Sequence, residues 1–319
     1  MSFDRPALLR LRDRARQARA DGHFLQAARL EQQAVEIASV LGLTGERTRA
    51  LLWQGYSLHH AGEDDLALAA LLQAANERAA TADPADIFSA LIALIRISLD
   101  RKAASFCRAL LDQGRRYLSD IHQSWTAPLD YLEGEWAYRQ GDFSAAWDWH
   151  CRAWVDWRDE HPRLTAATHL WALCRIAFRR RDIEALIAWT QKLSALNLTQ
   201  PLERQLALRA ALLCWRAQRR AGKPVEAAPD NAEPIKTALA LLKESAASDG
   251  RDTGAKAEAL RVLALASRWD QVDAALRQQP LSADHAESAR LSASLASNRA
   301  RHAQGLSSVD DDFENSSSA

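Results

Sequence analysis

The sequence has little glycine and little proline, and both shortages narrow the fold class. Among 319 residues there are 12 glycines and 9 prolines. Sheets of short strands need frequent turn residues and β-branched runs, so this composition disfavours an all-β fold. Alanine, leucine and arginine, which favour helices, are abundant instead. We therefore predict an all-α protein.

The chain also has few cysteines, a formal net charge of zero and no long apolar runs. The formal net charge is +0, which disfavours nucleic-acid binding by the chain as a whole. No apolar run is long enough to span a bilayer, and residues 1–21 lack the apolar core of a signal peptide. The widely spaced cysteines contain no CxxC pair and favour reduced thiols. We expect a cytoplasmic protein that binds neither nucleic acid nor membranes. The four cysteines are Cys107, Cys151, Cys174 and Cys214.

Small residues recur along the chain at regular intervals. A glycine between two helical patterns is followed five residues later by an alanine, as in Gly22 with Ala27. A recurrence at intervals of about 40 residues indicates stacked supersecondary units. Good copies of the pair are Gly62 with Ala67 and Gly141 with Ala146. Weaker copies are Ser98 with Ala103, Arg180 with Ala185, Gly222 with Ala227 and Ser267 with Val272.

Each unit also has small residues inside its two predicted helices. A large side chain at such a point would force two crossing helices apart, so these positions predict close helix crossings. The glycine between the helices suits the left-handed residue that ends a helix, and the acidic residues that follow it can cap the next one. The predicted crossing residues are Ala15, Gly55 and Gly134 in first helices, and Ala34, Ala74 and Ala153 in second helices.

This order of residues resembles the tetratricopeptide repeat (TPR). The second unit matches it with Gly55, Leu58, Gly62, Ala67, Leu71 and Ala74, and the fourth with Gly134, Ala137, Gly141, Ala146, His150 and Ala153. The resemblance covers residues 5–280, and its long period is similar to the variant found in bacterial regulators of the MalT type. It implies a right-handed TPR-like α-solenoid of about seven helical hairpins plus a C-terminal capping helix. We expect one superhelical domain over residues 1–304.

The C-terminal part departs from this pattern. Three prolines predict an irregular sixth repeat with a loop over residues 222–234, and the capping helix is expected near residues 283–304. Residues 305–319 are acidic and serine-rich, which predicts a disordered tail. We also hypothesise that this acidic tail folds back over a basic groove.

The resemblance implies that the first helix of each hairpin lines a concave binding groove. Arginines and tyrosines collect at the positions that would face it. Arginine binds carboxylates and phosphates, and tyrosine offers a flat contact surface. An ordinary solvated helix face is the alternative interpretation. The predicted ligand-binding residues are Arg12, Arg16, Arg19, Arg49, Tyr56, His59, Arg96, Tyr131, Glu135, Tyr138, Arg139, Trp149, Arg216, Arg219, Arg220 and Arg261.

Tryptophan is concentrated between residues 125 and 171. Trp147, Trp154 and Trp157 share one helical side, which favours core packing, while an aromatic wall for a partner is the alternative. Trp149 lies off that side and is expected to be the more exposed.

The sequence offers no catalytic or metal-binding constellation. It has no glycine-rich phosphate loop and no nucleophile elbow, and the adjacent His59 and His60 point to different sides of a helix. We predict no cofactor and a non-catalytic scaffold or adaptor, of bacterial composition, that binds an acidic protein or peptide segment. The alternative is a ligand-sensing module that holds a small anionic molecule or signalling peptide inside the superhelix.

Overall fold

The computed structural model describes most of the chain up to residue 221 and shorter stretches beyond it. Every regular element among these residues is an α-helix, which confirms the predicted all-α class. The predicted loop at 222–234 and the tail at 305–319 lie outside them. The described residues are 4–77, 82–101, 103–119, 126–155, 166–196, 201–221, 236–242, 259–260, 263, 269–278, 295–296 and 299.

The chain divides into two compact units, residues 1–156 and 157–319. The single superhelical domain over residues 1–304 stays a prediction. The described helices of the first unit are α1 (Arg5–Ala20), α2 (Phe24–Val40), α3 (Thr44–His60), α4 (Asp64–Ala75), α5 (Pro84–Asp100), α6 (Ala104–Ser119), α7 (Thr126–Arg139) and α8 (Phe143–Val155). Those of the second are α9 (Ala166–Arg179), α10 (Ile183–Ser194), α11 (Pro201–Arg220), a helical stretch at 236–242 and α12 (Trp269–Gln278).

Consecutive helices of the first unit pack on each other. In addition α3 packs on α5 and α5 on α7, so α3, α5 and α7 lie side by side. The core between them is built largely from α5, where Leu91, Leu94 and Ile95 are buried. In the second unit α9 packs on both α10 and α11, and a separate core forms around Leu208, Leu260 and other leucines.

Glycines end the first helix of three hairpins as predicted. Gly22, Gly62 and Gly141 have φ angles of 77°, 83° and 81°, a left-handed conformation that glycine adopts without steric cost. The residue after each glycine donates its backbone N–H to a carbonyl five residues earlier, as His23 does to Ala18 at 2.7 Å. Gly42, between α2 and α3, has the same conformation with a φ of 67°.

Two of the weaker repeat pairs were wrong in register. In the third hairpin the N–H of Ala103 donates to the carbonyl of Ser98, as that of His23 donates to Ala18 in the first hairpin. Ala103 therefore corresponds to His23. The buried Cys107, four residues later, corresponds to Ala27. In the fifth hairpin Arg181, not Arg180, is the left-handed residue. The buried partner there is Leu186, whereas the half-buried Ala185 had been predicted. With both corrections the hairpins follow each other every 40 or so residues.

Arg181 stands in a conformation that side chains with a Cβ rarely adopt. Its φ is 59°, and no other non-glycine residue among those described has a positive φ. Replacing Arg181 with glycine is therefore expected to stabilise the second unit by about 0.5–1 kcal/mol. Urea unfolding measures the change, with Gly141→Ala as the opposite control that should lose stability. A destabilised Arg181→Gly variant would contradict the left-handed turn.

At Gly55 and Gly134, two of the predicted crossing residues, the two helices of a hairpin are too close for a larger side chain. A Cβ added to Gly55 would lie 2.5 Å from Leu71 Cγ, and one added to Gly134 would lie 2.5 Å from His150 Cδ2. Both distances are shorter than real side-chain contacts allow. The second helix therefore places a buried side chain directly against the glycine of the first.

Candidate functional site

Apart from Trp149 on α8, the predicted ligand-binding residues of the first unit lie on α1, α3, α5 and α7, and we call their common surface the odd-helix face. Arg12 on α1 donates from Nη1 to Glu46 Oε2 of α3 at 2.5 Å. Arg49 on α3 donates to Asp86 Oδ2 of α5 at 2.7 Å, and its Nη2 lies 3.3 Å from Asp83 Oδ2. These two arginines thus connect α1 to α3 and α3 to α5.

The same arrangement recurs further along the face. Arg139 on α7 donates to the backbone carbonyl of Leu99 at 2.5 Å and to Asp100 Oδ1 at 2.8 Å, both at the end of α5. Three of the predicted ligand-binding arginines are therefore paired with groups of the neighbouring helix. A carboxylate ligand at Arg12, Arg49 or Arg139 would have to compete with these pairs.

Arg19 pairs with a buried acid instead. Its Nη1 donates to Glu31 Oε1 of α2 at 2.7 Å, and its guanidinium lies 4.7 Å from the centre of the Trp53 ring. Only 1% of the Glu31 side chain is exposed. Burial raises the pKa of Glu31 above its ordinary 4.5, and the attraction of Arg19 only partly offsets this effect.

The raised pKa of Glu31 predicts a pH dependence of stability. Because the folded state holds the Glu31 proton more tightly than the unfolded chain, stability is lost as the pH rises from 4.5 through the raised pKa. Glu31→Gln should therefore gain stability relative to the wild type as the pH increases. Urea unfolding on both sides of pH 4.5 tests this, with the exposed Glu36→Gln as control. A difference between Glu31→Gln and wild type that stays constant with pH would contradict the assignment.

Aromatic side chains cluster on α3 beside Arg19. The Tyr56 ring lies 5.9 Å from that of Trp53 and 5.6 Å from that of His60, which stacks on Phe24 at 5.0 Å. Tyr56 and Trp53 are half-buried, and His60 is exposed. The predicted ligand-binding residue His59 lies beside them, with Nδ1 2.7 Å from Asp64 Oδ1. The cluster gives the odd-helix face a broad aromatic area.

On α5, Arg96 is exposed, and no ion pair involving it is present among the described residues. Arg16 on α1 is also exposed, and its Nη1 lies 3.4 Å from the exposed Asp13. These two predicted arginines therefore offer their guanidinium groups to solvent. They differ in this from Arg12, Arg19, Arg49 and Arg139, which are held by groups of neighbouring helices.

Two of the predicted residues of α7, Tyr131 and Glu135, contact the buried His150 of α8. The ring of Tyr131 meets the His150 ring edge-on at 4.9 Å, and Glu135 Oε1 lies 3.4 Å from His150 Nε2. Tyr138, one turn further along, packs edge-on against Phe143 at 5.5 Å. All three predicted residues are half-buried, so each combines a packing contact with an accessible surface.

Sequence reasoning missed a network of buried charges between α6 and α7. Arg108 donates to both carboxylate oxygens of Glu133, at 2.8 and 3.0 Å, and hydrogen bonding to Glu133 raises the pKa of Arg108. Arg115 donates to Asp130, which is fully buried. At the corresponding positions of α5 the chain has Leu91 and Leu94. The network could have been predicted from the sequence because acids stand at positions 130 and 133, where the repeat has leucines in α5.

Trp149 is held between two guanidinium groups. Arg115 lies 4.6 Å and Arg152 lies 4.5 Å from the centre of its ring, while Arg108 covers Trp136 at 5.1 Å. Trp147, Trp149 and Trp154 are all half-buried, and the greater exposure expected of Trp149 stays a prediction. Trp125 and Trp157 lie outside the described residues.

The remaining predicted residues belong to the second unit. Arg220 is exposed at the end of α11, with its guanidinium 5.2 Å from the centre of the Phe178 ring of α9. Arg216 is half-buried on the same helix. Arg261 and the side chain of Arg219 lie outside what the structure describes.

Buried thiols and histidines do not combine into a reactive site in the described part of the chain. Burial raises the pKa of Cys107 to about 11 and that of Cys174 to about 12, which keeps both thiols protonated. Within that part, no three histidine, cysteine or acidic side chains converge as a metal site would require. No described helix has the length and apolar character needed to cross a membrane.

No protein-family model matches the sequence, and a search of curated proteins finds no match.

Proposed function

We propose that the chain is a non-catalytic scaffold or adaptor that binds a protein or peptide segment on the odd-helix face of its first unit. The observation that carries this proposal is the side-by-side packing of α3, α5 and α7, which places Tyr56, Arg96 and Tyr138 on adjacent helices. Rigid helices hold these side chains in fixed positions. A partner can therefore contact several of them at once without reordering the protein.

The chemistry of the face favours a partner with aromatic anchors and a modest negative charge. Tyr56, Trp53 and His60 supply flat amphipathic area, which is typical of interaction hot spots. Arg16 and Arg96 supply exposed cations that orient carboxylates. The arginines already held by acids stiffen the face and contribute little free charge.

We further propose that the hairpins form a right-handed TPR-like solenoid of the longer-repeat type in a cytoplasmic, bacterial protein. Support comes from the corrected repeat spacing of about 40 residues and from the left-handed glycines between the helices of three hairpins.

A charge reversal at Arg96 tests the proposed surface. Arg96→Glu should weaken capture of the native partner at least about tenfold, because it places repulsion at the centre of the face. The matched control is Arg29→Glu on α2, a charge reversal at another exposed arginine, away from the face. Surface plasmon resonance with the captured partner measures both variants. Equal affinities of the two variants would contradict the proposal.

A further inference from the structure

The first hairpin has a carboxylate at a core position where the next two hairpins have a leucine. Counted from the backbone N–H that closes each turn, Glu31 corresponds to Leu71 in the second hairpin and to Leu111 in the third. All three side chains are fully buried. A leucine would serve packing at least as well, because a buried ion pair seldom adds stability over apolar packing. Glu31 is therefore a candidate for a role other than packing.

The buried carboxylate is held by a side chain at the edge of the interior. Arg19 Nη1 donates to Glu31 Oε1 at 2.7 Å, while Glu31 Oε2 accepts no hydrogen bond from any group in the described part of the chain. The Arg19 guanidinium lies 4.7 Å from the centre of the Trp53 ring, and 17% of the Arg19 side chain is exposed. Arg19 thus stands next to solvent, where the hydrogen bond to Glu31 and the contact with Trp53 hold it.

The charges that act on Glu31 come from one of the helices packed on α2. Three arginines of α1 attract the carboxylate, namely Arg19, Arg12 and Arg16. The other packed helix, α3, brings the Trp53 ring to Arg19 and the carboxylate of Glu46 to Arg12. Burial nevertheless raises the pKa of Glu31, because desolvation outweighs the attraction of the arginines. Glu31 therefore takes up a proton at a higher pH than an exposed glutamate does.

We propose that the charge of Glu31 controls whether Arg19 takes part in the odd-helix face. While Glu31 is ionised, it holds the Arg19 guanidinium against Trp53. When Glu31 is protonated, the guanidinium loses its counter-charge, and an unpaired charge is stable only in contact with water. Arg19 then turns out to solvent next to Arg16, its neighbour on the helix, and adds a cation to the face. This regulation rests on the binding role proposed for the face, and it makes the binding of an acidic partner tighter when Glu31 is neutral.

Chemical modification tests the release of Arg19 without any partner. Phenylglyoxal reacts with accessible guanidinium groups, and mass spectrometry of the digested full-length chain gives the rate at each arginine. Glu31→Gln and Glu31→Leu both remove the charge at constant pH, and the leucine variant reproduces the residue of the next hairpin. At about pH 8, Arg19 should react at least about threefold faster in both variants than in the wild type.

Two controls show whether the release is specific. Glu36→Gln removes an exposed carboxylate of the same helix and should leave the rate at Arg19 unchanged. Arg12, which pairs with Glu46 instead, should keep its wild-type rate in all variants. Equal rates at Arg19 in the wild type and both Glu31 variants would overturn the release. A similar gain at Arg12 would show a general loosening of the first hairpin and would overturn it as well.

The affinity for the captured partner tests whether the release affects binding. At about pH 8, Glu31→Gln should bind the partner about threefold more tightly than the wild type, and adding Arg19→Gln should cancel the gain. The difference should disappear as the pH falls and wild-type Glu31 becomes protonated. Surface plasmon resonance of both proteins at each pH makes this comparison independent of the titration of the partner's own carboxylates.

The outcomes separate this regulation from the binding role of the face. Equal affinities of the wild type and Glu31→Gln at every pH would overturn the regulation, even where Arg96→Glu weakens binding and so supports the face. If Arg96→Glu has no effect, the proposed binding face is wrong, and the modification rates still decide whether Glu31 controls Arg19.

Discussion

Arg115→Ala is expected to lower the free energy of unfolding of the first unit by about 3–5 kcal/mol, the usual cost of removing one partner of a buried ion pair. Asp130 would stay buried, and the Nε of Arg152 lies 3.6 Å from its Oδ2. The variant would also lose the stacking of Arg115 on Trp149. Urea unfolding followed by tryptophan fluorescence measures the loss.

Two further variants separate the buried charge from a general effect of losing an arginine. Arg116→Ala, at the exposed neighbouring position, should cost less than about 1 kcal/mol. Arg115→Met combined with Asp130→Leu imitates the apolar junction at Leu91 and should recover most of the stability. Equal losses in Arg115→Ala and Arg116→Ala would contradict the network between α6 and α7.

Gly134→Ala is expected to destabilise the first unit by about 1–3 kcal/mol through overpacking. The added Cβ would lie 2.5 Å from His150 Cδ2 and 2.6 Å from His150 Nε2. The His150 ring is fully buried, so it can move away only by displacing its neighbours. This loss should appear although alanine is intrinsically the better helix former by about 1 kcal/mol.

A double-mutant cycle with His150→Ala isolates the crossing point. His150→Ala alone leaves a cavity and should destabilise the unit. In that background the Cβ of Gly134→Ala fills part of the cavity, so the second substitution should become neutral or stabilising. Additive losses would show that the two residues do not meet, and would contradict the close helix crossing.

The sequence predicted the helical hairpins because their spacing depends on local chemistry. A left-handed residue ends a helix through its own backbone preference, and Gly22, Gly62 and Gly141 carry that preference visibly. The sequence pattern places the third and fifth hairpins in the wrong register because Cys107 and Leu186 occupy positions at which the repeat predicts a small residue. In a packed interior, neighbouring side chains decide which size fits.

The pairing of the arginines could not be predicted in the same way. Arg12, Arg49 and Arg139 are predicted ligand-binding residues, yet their partners come from a neighbouring hairpin of the same chain. Such pairs join residues more than 30 positions apart, so their geometry depends on how the helices stack rather than on local pattern. The prediction of a binding face remains, with Arg16, Tyr56 and Arg96 as its accessible members.

Site-specific photo-crosslinking tests the odd-helix face most directly. A benzoylphenylalanine at position 96 lies on α5 within the face, and one at position 66 lies on α4, where Leu66 is 57% exposed. In the cell that produces the protein, position 96 should cross-link to a discrete partner and position 66 should not. Cross-links from position 66 alone, or equally from both positions, would contradict a binding face formed by the odd-numbered helices.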